Sequence, residues 1–253
     1  MKTFIITGAG SGIGAAAAIE LAKVATNRLV LVGRTKSKLI ETQKKLNNAS
    51  DHVICVVDIS KKRALHQAFE QIELEKHNVV GLFANAGIGG ENQYGDDDRW
   101  SEILEVNLTG TYNSIMEVLP HFERSKNKFT HVLITSSCLA RFGVPNYTAY
   151  CTSKAGLLGL TRALAVELAS RNVLVNAICP GWVDTKMARD GIQLLANRSN
   201  ESFEEAHAGQ MGHVPLGRMS DPDEIGKFVA FMFSDAQTSM TGQGIDINNG
   251  SYM

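Results

Sequence analysis

The stretch Tyr150-Cys151-Thr152-Ser153-Lys154 puts a phenol and an ammonium four residues apart at the head of a long helical pattern. Four residues is one helical turn, so the two side chains share a face. A positive charge beside a phenol favours the phenolate and lowers the tyrosine's pKa, which makes the pair a candidate general acid/base. The same spacing also arises as an ordinary pair on a helix surface, and the rest of the chain has to decide between the two.

The opening of the chain supplies the partner feature. Thr3-Phe4-Ile5-Ile6-Thr7 reads as a short buried strand, followed directly by Gly8-Ala9-Gly10-Ser11-Gly12-Ile13-Gly14 and an Ala-rich apolar run from Ala15 to Ala25. A strand, a glycine turn and a helix start bring backbone N–H groups and the positive end of a helix dipole onto one anion, and glycine lets the backbone come close. The spacing Gly8-x-x-x-Gly12-x-Gly14 differs from the commoner dinucleotide fingerprint, but its strand–turn–helix setting makes it a cofactor loop rather than a plain turn.

These residues need a scaffold, and the pattern names one. Apolar, β-rich runs near 3–7, 28–32, 52–57, 79–84, 130–136, 173–179 and 244–247 alternate with helical patterns. That alternation predicts an α/β fold, a doubly wound Rossmann-type parallel sheet of about seven strands with helices on both faces. Ligands then bind outside the carboxyl ends of the strands. With 253 residues, no repeat and no linker, one dinucleotide-binding and catalytic domain over 1–253 is expected. The net charge of −1 gives no reason to expect nucleic acid or an anionic membrane as partner. Cys55, Cys138, Cys151 and Cys179 lack the spacings of a metal site or a disulfide framework, so buried reduced thiols and a cytosolic setting are expected, with no metal. No apolar run reaches the length of a membrane helix.

Taken together, Thr7-Gly8-x-x-x-Gly12-Ile13-Gly14, Asn85-Ala86-Gly87, Asn107, Ser137, Tyr150-x-x-x-Lys154 and Pro180-Gly181 resemble the short-chain dehydrogenase/reductase family, in its single-domain branch, over essentially the whole chain. The resemblance implies an oxidoreductase in which NADP(H) exchanges hydride with a carbonyl or alcohol carbon, with Asn107, Ser137, Tyr150 and Lys154 as the catalytic set. Ser137 is picked over Ser136 because it stands thirteen positions before Tyr150, the spacing the resemblance implies, and its hydroxyl can donate to a substrate carbonyl. Neither serine has a hydrolase elbow or a partnered histidine. Lys154 also meets the nicotinamide ribose, and Asn107, in a kinked helix over 99–122, supports a proton relay to Lys154.

On the cofactor side the resemblance implies contacts from Gly8, Ser11, Gly12, Ile13, Gly14, Asn85, Ala86, Gly87, Tyr150, Lys154, Pro180, Gly181, Val183 and Thr185. From Leu21 to Ile40 no Asp or Glu occurs where an NAD-binding sheet places its ribose acid, and Arg34 stands close to that position. An arginine there pairs a 2′-phosphate, so NADP(H) is expected over NAD(H), with Thr35 or Lys38 assisting. Asp58, followed by Ile59, either sits beside the adenine, as the resemblance implies, or caps the helix starting near Lys61. Residues near 186–213 lose periodicity and then suggest short helices, and by resemblance form a lid over the substrate. Its apolar members Met187, Ile192, Leu194, Leu195 and Met211 either line a pocket or pack.

The chain is similar to β-ketoacyl carrier-protein reductases and polyketide ketoreductases, which implies a 3-oxoacyl thioester on a carrier protein as substrate, in fatty acid or polyketide metabolism, and a homotetramer. Lys128 and Arg171 fall where the former place basic residues that meet the carrier. The alternatives are a dehydrogenase/reductase of a free ketone, sugar or steroid, and a non-catalytic NADP(H)-sensing protein. The complete Asn-Ser-Tyr-Lys set disfavours the sensor.

Overall fold

A computed structural model describes residues 1–122 and 129–253, and Lys128 lies outside the described residues. The apolar runs become seven strands: β1 (Lys2–Thr7), β2 (Asn27–Gly33), β3 (Val53–Val56), β4 (Val79–Ala84), β5 (Thr130–Thr135), β6 (Val173–Pro180) and β7 (Gly244–Ile247). They pair in parallel throughout, in the order β3-β2-β1-β4-β5-β6-β7. The expected doubly wound sheet is therefore the observed one. β1, β4, β5 and β6 are buried along almost their whole length, which is why they read as continuous apolar runs rather than as alternating ones.

Successive side chains of a strand point to opposite faces, and β1 divides accordingly. Ile5 joins one core layer with Leu65, Phe69, Ile115, Val118 and Leu157. Phe4 and Ile6 join the other with Ala17, Leu21, Ile225 and Val229. The first layer is covered by α3 (Lys62–Gln71), α5 (Gly110–Phe122) and α6 (Thr148–Leu168), the second by α1 (Gly12–Ala22), α2 (Lys36–Gln43) and α9 (Pro222–Met232). The chain runs outward from β1 to β3, then returns to start β4 on the other side of β1. That reversal opens a crevice at the carboxyl ends of β1 and β4, the usual ligand position in such sheets.

Two stretches are irregular in the way expected of them. The helix over 99–122 is three pieces: α4 (Trp100–Leu104), a π-helical segment Glu105–Thr109, and α5. Asn107 sits in the π segment with its amide spent on a neighbour, Oδ1 accepting from Ile88 N (2.8 Å) and Nδ2 donating to Ile88 O (2.9 Å). Widening the helix by one residue turns that amide out of the helix and onto the loop after β4. The region near 186–213 holds α7 (Lys186–Ser199) and α8 (Phe203–Gly212). Thr185 caps α7 by accepting from Ala188 N (3.3 Å), and Ser202 with Glu205 forms a capping box on α8.

Candidate functional site

The carboxyl ends of β1 and β4 are held by Thr7 and Asn85. Thr7 Oγ1 accepts from Asn85 N (2.9 Å) and Ala86 N (3.0 Å), Asn85 Nδ2 donates to Thr7 O (3.2 Å), and Asn85 Oδ1 accepts from Thr135 Oγ1 (3.0 Å). One asparagine thus joins β1, β4 and β5 at the edge where the glycine loop begins. In that loop Gly8 and Gly12 have φ of +69° and +53°, left-handed values that glycine adopts without strain. A Cβ on Gly14 would lie 2.3 Å from Gly8 O, so α1 packs directly on the turn.

The glycine loop fits an anionic cofactor. Ser11 precedes α1 with extended backbone and makes no side-chain cap, which leaves the first N–H groups of an eleven-residue helix for an anion. A Cβ on Gly12 would come within 3.0 Å of Thr185 Cγ2, so the loop after β6 closes over the same space. That loop carries Pro180 and Gly181, with Gly181 N bonded to Ile247 O, and Val183, buried and bridged to Ser220. At the far end Arg34 is exposed at the tip of β2, its Nη1 3.9 Å from Asp58 Oδ2. Lys38 flanks the same loop, its Cβ 3.0 Å from where a Cβ on Gly10 would stand.

Asp58 does not cap α3. Its Oδ1 accepts from Ser60 N (2.9 Å), closing a local turn, while Lys61 holds the N-cap position. The other carboxylate oxygen is left facing Arg34. Ile59 spends its side chain in the core, where it lies against Gly110, so only its backbone is available to a ligand.

The reactive side chains converge beside this crevice. Lys154 is buried, and its Nζ donates to Thr135 O (2.8 Å) while standing 5.6 Å from the centre of the Tyr150 ring. Ser136 Oγ donates to Lys154 O (2.8 Å), fastening α6 to the end of β5. Ser137 accepts from Leu139 N (3.1 Å), and its hydroxyl stands near enough to the Tyr150 phenol to favour the phenolate. Asn107 reaches the group through Ser153, which accepts from its Nδ2 (3.2 Å). A Cβ on Gly87 would lie 3.0 Å from Asn107 Oδ1 and 3.5 Å from Lys154 Nζ, so glycine keeps the space between them open.

The electrostatics correct one expectation. Tyr150 keeps part of its surface toward the cleft, yet burial pushes its phenol up to about 12, with the Ser137 hydrogen bond acting in the opposite direction. Burial pushes the Lys154 ammonium down to about 8. Loss of water outweighs the lysine's attraction for a phenolate here. At neutral pH the phenol carries its proton, the form a proton donor needs.

Sequence reasoning missed several members of this floor. The Thr135 carbonyl that receives Lys154 and the Ser136 hydroxyl that fastens α6 stand just ahead of Ser137 at the end of β5, a position that marked them. Other expectations fail or divide. Arg171 stands two positions before β6, at the amino end of the sheet, and its Nη2 donates to Leu119 O (3.4 Å). Within one chain it does not flank the cleft. Over 186–213, Ile192 and Met211 are buried, whereas Met187 lies against Gly89 and Leu194 lines a surface hollow of about 530 Å³ with the loop at 90–99. Cys55, Cys138 and Cys179 are buried thiols, while Cys151 is half-buried. Among the described residues no group of His, Cys, Asp and Glu is placed to hold a metal, and no helix is long and apolar enough to cross a membrane.

Comparison with known proteins agrees with this geometry. A family model described as enoyl-(acyl carrier protein) reductase matches residues 8–251. The 3-oxoacyl-(acyl-carrier-protein) reductase FabG of Pseudomonas aeruginosa is 32% identical over 259 residues, covering 100% of this chain and 98% of its own. Among solved structures, a variant of actinorhodin polyketide ketoreductase with NADPH aligns with a TM-score of 0.91 at 29% identity, over 99% of this chain and 97% of its own. The 3-ketoacyl-(acyl-carrier-protein) reductase of Brucella melitensis complexed with NADH aligns with a TM-score of 0.85 at 27% identity, over 100% and 98%. The glycine loop, the Ser-Tyr-Lys cluster and these matches across nearly the full length agree: the chain belongs to the short-chain dehydrogenase/reductase family.

Proposed function

We propose that the protein is an NADPH-dependent carbonyl reductase in which Tyr150 gives a proton to the oxygen of the substrate as it becomes a secondary alcohol. The observation that carries the reading is the convergence of Ser137, Tyr150 and Lys154 at the sheet edge that also holds the glycine loop. The nicotinamide, when bound, supplies the hydride. Ser137 holds the carbonyl oxygen against the phenol, and its hydrogen bond strengthens as that oxygen gains charge. Tyr150 starts protonated, as a phenol is at neutral pH, and its loss of water strengthens its hold on the proton. Lys154, four residues on, stabilises the phenolate left behind and orients the cofactor ribose. Asn107 faces Lys154 across the gap that Gly87 keeps open, which suits a proton relay.

Arg34 at the tip of β2 and Lys38 beside the glycine loop support a 2′-phosphate, and Asp58 is placed to accept from the adenine amine once Arg34 turns to that phosphate. The relatives' names favour a 3-oxoacyl thioester on a carrier protein, as in fatty acid or polyketide synthesis. Helices α7 and α8 form the lid, and a cytosolic homotetramer belongs to the same reading. A free ketone is the second candidate, favoured by charge at the cleft mouth. Arg99, Lys186, Arg189 and Arg198 each pair with an acid there, while Asp96 and Asp97 add exposed negative charge that repels an acidic carrier.

The test is oxidation of NADPH and NADH against acetoacetyl-carrier protein, its N-acetylcysteamine analogue and simple ketones. Turnover with NADPH on the carrier thioester supports the first substrate, and turnover on free ketones alone supports the second. Tight cofactor binding without turnover on any carbonyl compound contradicts the reductase reading.

A further inference from the structure

We infer that the dipeptide Glu91-Asn92 is a positioning element that couples the lid helix α7 to the first turn of the helix bearing Tyr150. The inference rests on the reading of Tyr150 as proton donor. Asn92 is 7% exposed, and its polar atoms are fixed in one arrangement. Oδ1 accepts from Ala149 N (2.8 Å) and Thr148 Oγ1 (3.1 Å), Nδ2 donates to Asp98 Oδ1 (3.1 Å), and the backbone N–H donates to Asn146 O (2.8 Å). Helix α6 has no cap of its own, since Tyr147 at its N-cap position makes no side-chain bond. The N–H of Ala149, fully buried and one residue before Tyr150, is satisfied from 57 positions away in the chain. Without Asn92 it would be a buried donor with its partner lost, and the turn before it, where Asn146 holds a φ of +66°, would lose a brace.

Glu91 faces the other way. Arg198, in the last turn of α7, reaches it with Nη1 2.6 Å from Oε1 and Nη2 2.5 Å from Oε2. The pair spans 107 positions, and the glutamate side chain is only 9% exposed. Tyr147, whose ring meets Tyr150 edge-on at 6.3 Å, stands close enough to feel the charges of both Glu91 and Arg198. Adjacent residues of one backbone therefore hold the lid and the tyrosine helix, and a shift of Arg198 is transmitted to Ala149 through a single peptide unit.

The test is steady-state kinetics with NADPH and whichever carbonyl compound the full-length protein reduces, well below each variant's thermal midpoint. Asn92→Ala lowers kcat about tenfold to hundredfold, as expected of a reacting group displaced by about 1 Å, while the Kd for NADPH, read by cofactor fluorescence, stays within about twofold. The double variant Asn92→Asp with Asp98→Asn reverses the polarity of that bond, keeps the acceptor for Ala149, and recovers most of kcat. Arg198→Ala lowers kcat/KM in the wild-type background and much less in the Asn92→Ala background. The inference is overturned by a kcat for Asn92→Ala within twofold of wild type, by no recovery in the polarity-reversed variant, or by effects of Asn92→Ala and Arg198→Ala that multiply. Should Asn92→Ala not fold, recovery and the Arg198→Ala effect, measured with the polarity-reversed variant as reference, decide it. Full turnover in Tyr150→Phe would sink the proton-donor reading itself, whereas an inert Tyr150→Phe beside a wild-type-like Asn92→Ala sinks this inference alone.

Discussion

The polar groups at the carboxyl ends of the central strands and the buried His131 near the start of β5 are treated in opposite ways. At the carboxyl end Thr7, Asn85, Thr135, Ser136 and Lys154 are joined by hydrogen bonds that cross β1, β4, β5 and α6. At the amino end His131 is buried against the edge of the Phe233 ring, its Nδ1 has no partner, and the nearest charges are the exposed pair Lys2–Asp235. Burial pushes the His131 imidazole down to about 4. A buried polar group with partners is held in one geometry, and one without them is only a cost.

Substitutions can break that contrast. The largest effect expected is at the amino end. Because the folded pKa of His131 lies below its unfolded value, the unfolded chain takes up a proton that the folded chain refuses. Stability is full above about pH 6.5 and is lost as pH falls toward 4, by up to about 3 kcal/mol. His131→Phe should flatten that stretch of the curve in urea melts read at several pH values. An unchanged slope would mean His131 is hydrated. Next, Asn85→Ala leaves the Thr135 hydroxyl without its acceptor and should cost about 1–3 kcal/mol in the same assay, together with a loss of cofactor affinity. A loss of stability alone would separate the brace from the site.

At the rim the effects shrink. Arg34→Ala should weaken NADPH about tenfold, the scale of one charge-assisted contact, and leave NADH nearly unchanged in parallel titrations; equal losses would make Arg34 a bystander. Arg189→Ala removes an exposed ion pair with Asp184 and should leave the thermal midpoint where it is. A clear drop would show that the start of α7 is held more firmly than surface ion pairs allow.

Much of this was legible in the sequence because parallel strands buried on both faces leave unbroken apolar runs, and the seven runs lie within a residue or two of the observed strands. The glycine loop and the Tyr150–Lys154 spacing are equally local signals. The rest depends on contacts between distant segments. The π segment at Asn107 follows from its bonds to Ile88, nineteen positions away. The receiver of the Lys154 ammonium is a backbone carbonyl, which no residue type announces. Asn92 reads as an ordinary loop asparagine until α6 is laid beside it. Arg171, matched by its position along the chain, lies within one chain at the amino end of the sheet, so its place relative to a cleft depends on contacts between chains that no sequence pattern displays.

The central claim is that a half-buried, protonated Tyr150 donates the proton in carbonyl reduction. The most direct measurement compares Tyr150→Phe with wild type for NADPH binding by fluorescence and for single-turnover reduction of the preferred carbonyl compound. The account predicts binding within about twofold and a rate lower by about 10²- to 10⁴-fold, the range that general acid catalysis supplies. A variant that binds NADPH and reduces the substrate at the wild-type rate would contradict it.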